Sequence, residues 1–362
     1  MTREPLPGPG APVDEPGSSA RNVPAAGPVV VWGAGAMGGT IGARLIRAGR
    51  DVLFVDADPA HARAIRDRGL RITGPVDDFT VPASCVTPDT VTAPLSVVLL
   101  AVKAHHTRGA MDAINPLLAP EGFVVSVQNG LNEHVIAESV GVGRTVGCFV
   151  NYGADVIEPG VIMRGNRGAV VVGELDGART PRIGWVHRLF LDFESDALLT
   201  ANILGFLWGK LAYGSMLFAT ALAEASIADV LDAPEHRPAV IGLAREAMAV
   251  AEALGIEPES FDGFDPSAFS TRSGDAAAHA SLDRLVAFNR GSAKSHSGVW
   301  RDLAVRKRRT EVDAQIAPIA RLGAEAGVGT PLTMRLVELI HDVEEGRLPQ
   351  AWSTLAELTR LV

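Results

Sequence analysis

The sequence predicts an α/β domain built on a parallel sheet and, after it, an all-α domain. Three observations carry this reading. An apolar strand pattern runs into a glycine-rich turn and a helix near the start of the chain, further apolar strands each end in a polar residue, and beyond Ala201 the texture becomes helical with little strand pattern. A chain of 362 residues with 47% apolar content is long enough for two domains, each burying its own core. The expected organisation is a disordered tail over 1–27, an α/β domain over 28–200 and a helical domain over 201–362.

The first element is Val29-Val30-Val31-Trp32, a buried-strand pattern, and the segment Thr40 to Ala48 reads as an amphipathic helix ended by Gly49. Between them lies Gly33-Ala34-Gly35-Ala36-Met37-Gly38, which is GxGxxG. The first glycine permits a tight turn, the second lets the backbone approach a diphosphate, and the third allows the helix to pack closely on the strand. The phosphates would then rest on a helix N-terminus, where unpaired N–H groups and the helix dipole favour anions. This is the fingerprint of a Rossmann dinucleotide site.

The next strand, Val52-Leu53-Phe54-Val55, ends in Asp56, which stands 23 positions after Gly33. That is close to the spacing of roughly 20 at which an acid accepts from the ribose 2′-hydroxyl. A carboxylate there repels a 2′-phosphate, so the reading is NAD(H) in preference to NADP(H). Two further strands, Ser96 to Val102 and Phe123 to Val127, run into Lys103 and into Gln128-Asn129-Gly130. Ligands of open parallel sheets bind beyond the carboxyl ends of the strands, and Gly33, Asp56, Lys103 and Asn129 would all fall on that edge. The stretch from Gly143 to Gly177, rich in glycine and β-branched residues, reads as the closing strands of the domain.

In the second half, Phe206 to Leu222 and Pro238 to Leu254 read as helices. Lys210 lies amid Leu207, Trp208, Leu211, Leu217 and Phe218. Desolvation favours the uncharged amine of a lysine, which lets such a group exchange protons near neutral pH. On helical geometry Lys210 shares a face with Tyr213, Gly214 and Leu217. A glycine there weakens the helix by about 1 kcal/mol relative to alanine, which suits a place kept open or a close helix crossing. Farther on, Ser295-His296-Ser297-Gly298 precedes a helix expected through Trp300, Leu303 and Val305 and onward to Arg309-Thr310-Glu311-Val312-Asp313, with Arg306 to Arg309 on a solvated face.

Composition narrows the function. A formal charge of −9 gives no basic footprint for nucleic acid or for an anionic membrane surface. The only cysteines, Cys85 and Cys148, are in no disulfide or metal-ligand spacing, which fits a reducing cytoplasm. The first 27 residues lack the apolar core of a signal peptide, and no apolar run approaches the roughly 18 residues of a membrane span. The adjacent His105 and His106 would point in different directions, so no metal site is expected there. HExxH, GxSxG and P-loop patterns are absent from the sequence.

Taken in order, Gly33-x-Gly35-x-x-Gly38, Val102-Lys103-Ala104, Gln128-Asn129-Gly130, Trp208-Gly-Lys210-Leu-Ala and Arg309-Thr310-Glu311-Val312-Asp313 resemble the motifs of ketopantoate reductases over roughly Val29 to Ile340. The resemblance implies a Rossmann domain followed by a helical domain like that of 6-phosphogluconate dehydrogenases, with a cleft between them as the active site. It implies that Lys210 is the catalytic lysine and Glu311 the active-site glutamate. Lys103 and Asn129 become cofactor- and substrate-side residues, and Ser297 the substrate-binding serine. It also keeps NADP(H) open as cofactor, since family members often carry a basic residue where Asp56 stands, and a homodimer as the assembly.

The chain departs from the family pattern as well. Where the family has two substrate-contacting asparagines after the lysine, this chain has Gly214 and Phe218, so Tyr213, Gly214 and Phe218 would form a more apolar substrate pocket. The expected activity is reduction of a 2-keto acid, 2-dehydropantoate or a related small keto compound, to the 2-hydroxy acid. The alternatives are a dehydrogenase or imine reductase of a specialised metabolite, or a dinucleotide-sensing protein without turnover.

Overall fold

The computed structural model describes residues 21–24, 27–92, 94–291 and 295–362. Most of the tail expected over 1–27 lies outside the described residues; within it, Arg21 ion-pairs with Asp176 at 2.7 Å. The chain divides into two compact units, 1–203 and 204–362.

The first unit runs β1 (Val29–Trp32), α1 (Ala36–Arg47), β2 (Val52–Val55), α2 (Pro59–Arg68), β3 (Leu70–Thr73), β4 (Phe79–Val81), β5 (Ser84–Val86), β6 (Leu95–Leu100), α3 (Thr107–Ile114) and β7 (Leu118–Ser126). It continues with α4 (Asn132–Val140), β8 (Thr145–Val150), β9 (Ala154–Glu158), β10 (Val161–Arg164), β11 (Val170–Glu174), α5 (Pro181–Phe193) and β12 (Leu198–Leu199). Eight strands form one sheet in the order β12-β11-β8-β7-β6-β1-β2-β5, parallel throughout except where β11 meets β8. Strand order reverses between β1 and β6, the switch point beside which ligands bind in such sheets.

Every residue of β1 is buried, because both faces of the sheet are covered. Val29 and Val31 pack with Ile41 and Leu45 of α1 and Phe190 of α5, whereas Val30 and Trp32 pack with Met111 of α3 and Ile136 of α4. This two-sided burial is why the strand reads as an unbroken apolar run and not as an alternation. A second, four-stranded sheet, β4-β3-β10-β9, accounts for part of the Gly143–Gly177 stretch.

The second unit is helical: α6 (Ile203–Thr220), α7 (Ile227–Asp232), α8 (Arg237–Ala253), α9 (Asp275–Arg290), α10 (Gly298–Ala304), α11 (Val312–Gln315), α12 (Ala317–Glu325), α13 (Pro331–Glu344) and α14 (Trp352–Thr359). Its core joins Phe218 and Leu222 to Val230, Leu243, Leu303, Ile316, Leu336 and Leu355.

Several expectations need correction. Helix α1 begins at Ala36, inside the glycine motif, and not at Thr40. Helix α6 is, by length and composition, apolar enough to cross a membrane, contrary to the reading that no run approaches that length; 78% of it is buried within the protein, as befits a core helix. The helix expected through Trp300 and onward to Asp313 stops at Ala304, and α11 starts only at Val312. Between them the chain turns at Lys307, with φ of 49°, and Arg306 and Arg308 fold back onto Asp302 at 2.8 and 3.0 Å.

Candidate functional site

The glycine motif occupies the turn from β1 into α1, and each glycine has a separate physical reason. Gly33 has φ of +103°, and a β-carbon on it would lie 2.8 Å from the backbone at Ala101 and Val102, so only glycine lets β6 come this close. A β-carbon on Gly38 would collide with the Gly33 carbonyl and stand 2.8 Å from Ala101 Cβ and 2.9 Å from Val31 Cγ1. Gly35 is different: a β-carbon there would meet nothing within 4 Å. It is the N-cap of α1 and supplies no side-chain cap, which leaves the first amides of the helix without an acceptor from that residue. Such a turn fits a diphosphate held by backbone N–H groups. Ala34 is fully buried, while Gly35, Ala36 and Met37 are half-buried.

Asp56 follows β2, the neighbour of β1. Its Oδ2 accepts from the Ala34 amide at 2.8 Å and its Oδ1 from the Asp58 amide at 2.9 Å. The carboxylate thus braces the glycine-rich turn itself. Each oxygen keeps lone-pair capacity for another donor, such as a ribose hydroxyl.

Lys103 and Asn129 follow β6 and β7, so both stand with Gly33 and Asp56 at the carboxyl edge of adjacent parallel strands, and both are exposed. Three residues that sequence reasoning missed as site residues fix the two loops. Gln128 Nε2 donates to the Val102 carbonyl and to Thr107 Oγ1, each at 2.8 Å. Thr107 Oγ1 lies 2.7 Å from the Ala104 carbonyl and 3.0 Å from Asn132 Oδ1, either of which accepts its proton. Asn132 Nδ2 in turn donates to the Asn129 carbonyl at 2.7 Å. The chain Gln128–Thr107–Asn132 therefore ties the Lys103 loop to the Asn129 loop. Asn129-Gly130 was legible as a turn; the partners 21 and 25 positions away were not.

Glu133, in the first turn of α4, is fully buried, and neither carboxyl oxygen has a hydrogen-bond partner. Burial pushes its pKa up to about 7, and its own amide and the neighbouring Ser126 hydroxyl, both outside hydrogen-bonding geometry, offset this only in part.

In the helical unit, Lys210 is half-buried on α6, between the fully buried faces of Trp208 and Leu211. Gly209 and Gly214 answer the question posed by glycine in this helix. A β-carbon on Gly209 would stand 2.7 Å from the Glu259 carbonyl, a close packing contact, whereas one on Gly214 would meet nothing within 4 Å. The space one turn along from Lys210 is open. Tyr213 packs its ring on Phe264 and Phe261, with centroids at 5.3 and 6.3 Å. These two phenylalanines are paired across the Asp262-Gly263 turn, both of whose residues have positive φ.

Phe218 corrects an expectation: it is 2% exposed and belongs to the unit's apolar core, not to an open pocket wall. Ser297 is 3% exposed and caps α10, its hydroxyl accepting from the Trp300 amide at 3.0 Å. Glu311, half-buried, precedes α11, and Glu344 of α13 anchors its loop by accepting from the Thr310 amide at 2.7 Å.

The adjacent histidines also correct the sequence reading. His105 and His106, in a 3₁₀ turn, converge, with their Nε2 atoms 3.1 Å apart. Among the described residues no group of three or more His, Cys, Asp or Glu could hold a metal ion.

Comparison with known proteins brings both units under one description. Residues 29–177 match the family "Ketopantoate reductase PanE/ApbA", and residues 202–344 match "Ketopantoate reductase PanE/ApbA C terminal". The chain belongs to the ketopantoate reductase family. Among curated relatives of this family, a 2-dehydropantoate 2-reductase of Mesorhizobium japonicum is 26% identical over 336 residues, 86% of this chain and 96% of the relative. One of Archaeoglobus fulgidus is 27% identical over 321 residues, covering 88% and 98%. Of solved structures, a D-mandelate dehydrogenase with NADH and anilino(oxo)acetate superposes with a TM-score of 0.76 at 22% identity, covering 88% of this chain and 99% of that one. A PanE/ApbA family ketopantoate reductase from Ralstonia eutropha gives 0.74 at 24%, covering 89% and 99%. The likeness to these two structures is one of fold.

Proposed function

We propose that this chain is an NAD(P)H-dependent reductase that converts the carbonyl of a 2-keto acid, 2-dehydropantoate or a related small keto compound, to the hydroxyl of the 2-hydroxy acid. In this reading residues 28–200 hold the dinucleotide and 201–362 hold the substrate and the proton-transfer groups. The observation that carries it is the half-buried Lys210 on an otherwise buried stretch of α6, with open space one turn on at Gly214, in a chain matched to the reductase family through both units.

A bound reduced nicotinamide supplies a hydride to the carbonyl carbon. The protein must then supply the proton and stabilise the oxygen that acquires charge. Lys210 is the group assigned to protonate that oxygen, and Glu311 holds the lysine ammonium or the product hydroxyl. Lys103 and Asn129, at the carboxyl edge of the sheet, take cofactor and substrate contacts. Gly33 to Gly38 take the diphosphate, and Asp56 the ribose. Because Asp56 repels a 2′-phosphate, NADH is the preferred cofactor. Tyr213, Gly214 and the cap Ser297 complete the substrate side.

Steady-state assay of Lys210→Ala tests the proposal. Loss of a positioned proton donor costs on the order of 10²–10⁴ in rate, so keto-acid reduction should fall at least a hundredfold. Reduction at the wild-type rate would overturn the assignment. The open space at Gly214 also favours a second reading, a dehydrogenase or imine reductase for a bulkier specialised metabolite. A panel of 2-keto acids, 2-hydroxy acids and cyclic imines separates the two, and NADH binding with no turnover of any of them would point to a sensor.

A further inference from the structure

The peptide of Ala34, the residue between the first two glycines of the motif, is held at both of its polar atoms. Asp56 takes the amide, and the carbonyl lies 2.9 Å from Nε2 of His61. His61 is buried in the first turn of α2, where Asp58 caps the helix and Pro59 opens it. Its other ring nitrogen, Nδ1, is 3.2 Å from the Gly160 amide in the β9–β10 turn.

A backbone N–H can only donate, so Nδ1 must carry a lone pair; a carbonyl can only accept, so Nε2 must carry the proton. The two neighbours therefore select one neutral tautomer. Protonation at Nδ1 would put two donors face to face.

Gly160 is itself fixed. Its φ is +82°, a β-carbon on it would stand 3.1 Å from Ala64 Cβ of α2, its carbonyl accepts from the Arg71 amide at 2.9 Å, and the neighbouring Pro159 carbonyl accepts from Arg68 at 3.0 Å. A third anchor lies on the far side of the motif, where the Tyr152 hydroxyl donates to the Met37 carbonyl at 2.9 Å.

We propose that His61 is a positioning residue for the dinucleotide: as the neutral Nε2–H tautomer it ties the tip of the second sheet to the Ala34 carbonyl and so presets the glycine-rich turn for the diphosphate. The inference rests on the dinucleotide reading above. It adds a requirement that reading lacks, since nothing in GxGxxG or Asp56 calls for a histidine five residues beyond Asp56. The diphosphate is met by amides whose direction depends on the Ala34 and Gly35 peptide planes, and a turn free to rotate must be ordered on binding, which weakens affinity.

The test uses the full chain, with NADH binding followed by titration and ring-nitrogen NMR of the unliganded protein. His61→Phe removes both hydrogen bonds while keeping a ring, and His61→Gln restores a donor and an acceptor on one terminal group. One lost hydrogen bond to a well-placed partner corresponds to about a tenfold change. The expected result is a Kd for NADH and a KM for NADH raised about tenfold or more in His61→Phe, with kcat at saturating NADH within about twofold of wild type, and recovery of most of the loss in His61→Gln.

The NMR spectrum, assigned by the signal lost in His61→Gln, should show a protonated Nε2 and an unprotonated Nδ1. That measurement holds even where His61→Phe does not fold. Wild-type affinity in His61→Phe, equal impairment of both variants, or the opposite tautomer would overturn the proposal. Absence of NADH binding by the wild-type protein would instead overturn the dinucleotide reading on which it stands.

Discussion

Asp56 shows how much one carboxylate is asked to do. Its two oxygens already accept from the Ala34 and Asp58 amides, so it shapes the turn before any nucleotide arrives, and its remaining lone pairs and charge are what a ribose or a 2′-phosphate would meet. Asp56→Ala removes the repulsion and the brace together. The expected outcome is a weaker KM for NADH and a fall in the NADH-over-NADPH preference by about tenfold or more, one charge-assisted hydrogen bond's worth, measured as kcat/KM for each cofactor. Equal use of the two cofactors by the wild-type enzyme would remove the basis for the assignment. Gly214 makes the complementary argument on the substrate side. Because a side chain there meets nothing within 4 Å, Gly214→Asn should fold normally and place an amide in reach of a polar substrate. Its kcat/KM should rise for hydroxylated keto acids relative to apolar ones, and an unchanged ratio over a keto-acid panel would show that this space does not face the substrate.

At the scale of elements, helix α4 carries a destabilising group in its first turn. Glu133 is buried without a hydrogen-bond partner at either oxygen, and burial holds its pKa at about 7 in the folded chain against an ordinary value of 4.5. The unfolded chain therefore releases this proton first as pH rises. The contribution to stability is complete below about pH 4.5, declines as pH climbs toward 7, and levels off once both states are ionised, a total of about 3 kcal/mol. Urea unfolding of wild type and Glu133→Gln at pH 5 and pH 8 should show the wild type losing stability relative to the variant by roughly that amount. Parallel pH dependence in the two proteins would contradict it.

Helix α4 was not read from the sequence, whereas other parts of the same unit were. Strand β1, the glycine turn and the strand ends at Asp56, Lys103 and Asn129 follow from local periodicity and spacing. The brace Gln128–Thr107–Asn132 joins side chains brought together only by the pairing of β6 with β7, and no local pattern encodes that. No helix was expected at α5, although Thr180-Pro181 is a start signal, the threonine hydroxyl accepting from the Ile183 amide at 3.1 Å.

Over the whole molecule, the residues assigned to bind the dinucleotide and those assigned to move the proton fall in different compact units, Gly33 to Asn129 within 1–203 and Lys210 and Glu311 within 204–362. Binding and chemistry should then be separable by mutation. A ligand that binds only the folded state raises stability by RT ln(1 + [L]/Kd), about 2.7 kcal/mol at a hundredfold excess over Kd. At saturating NADH the melting temperature of wild type should therefore rise by several degrees. Lys210→Ala should show the same rise, since its lesion lies outside the glycine turn, while its keto-acid turnover falls at least a hundredfold. Asp56→Ala should show the converse, a smaller NADH-dependent rise with kcat largely kept once NADH is saturating. Thermal scans with and without NADH, run beside the steady-state assay on the same preparations, decide the matter. If Lys210→Ala loses the NADH-dependent rise along with turnover, the lysine is part of the cofactor's own binding surface and the proton-donor role must be reassigned.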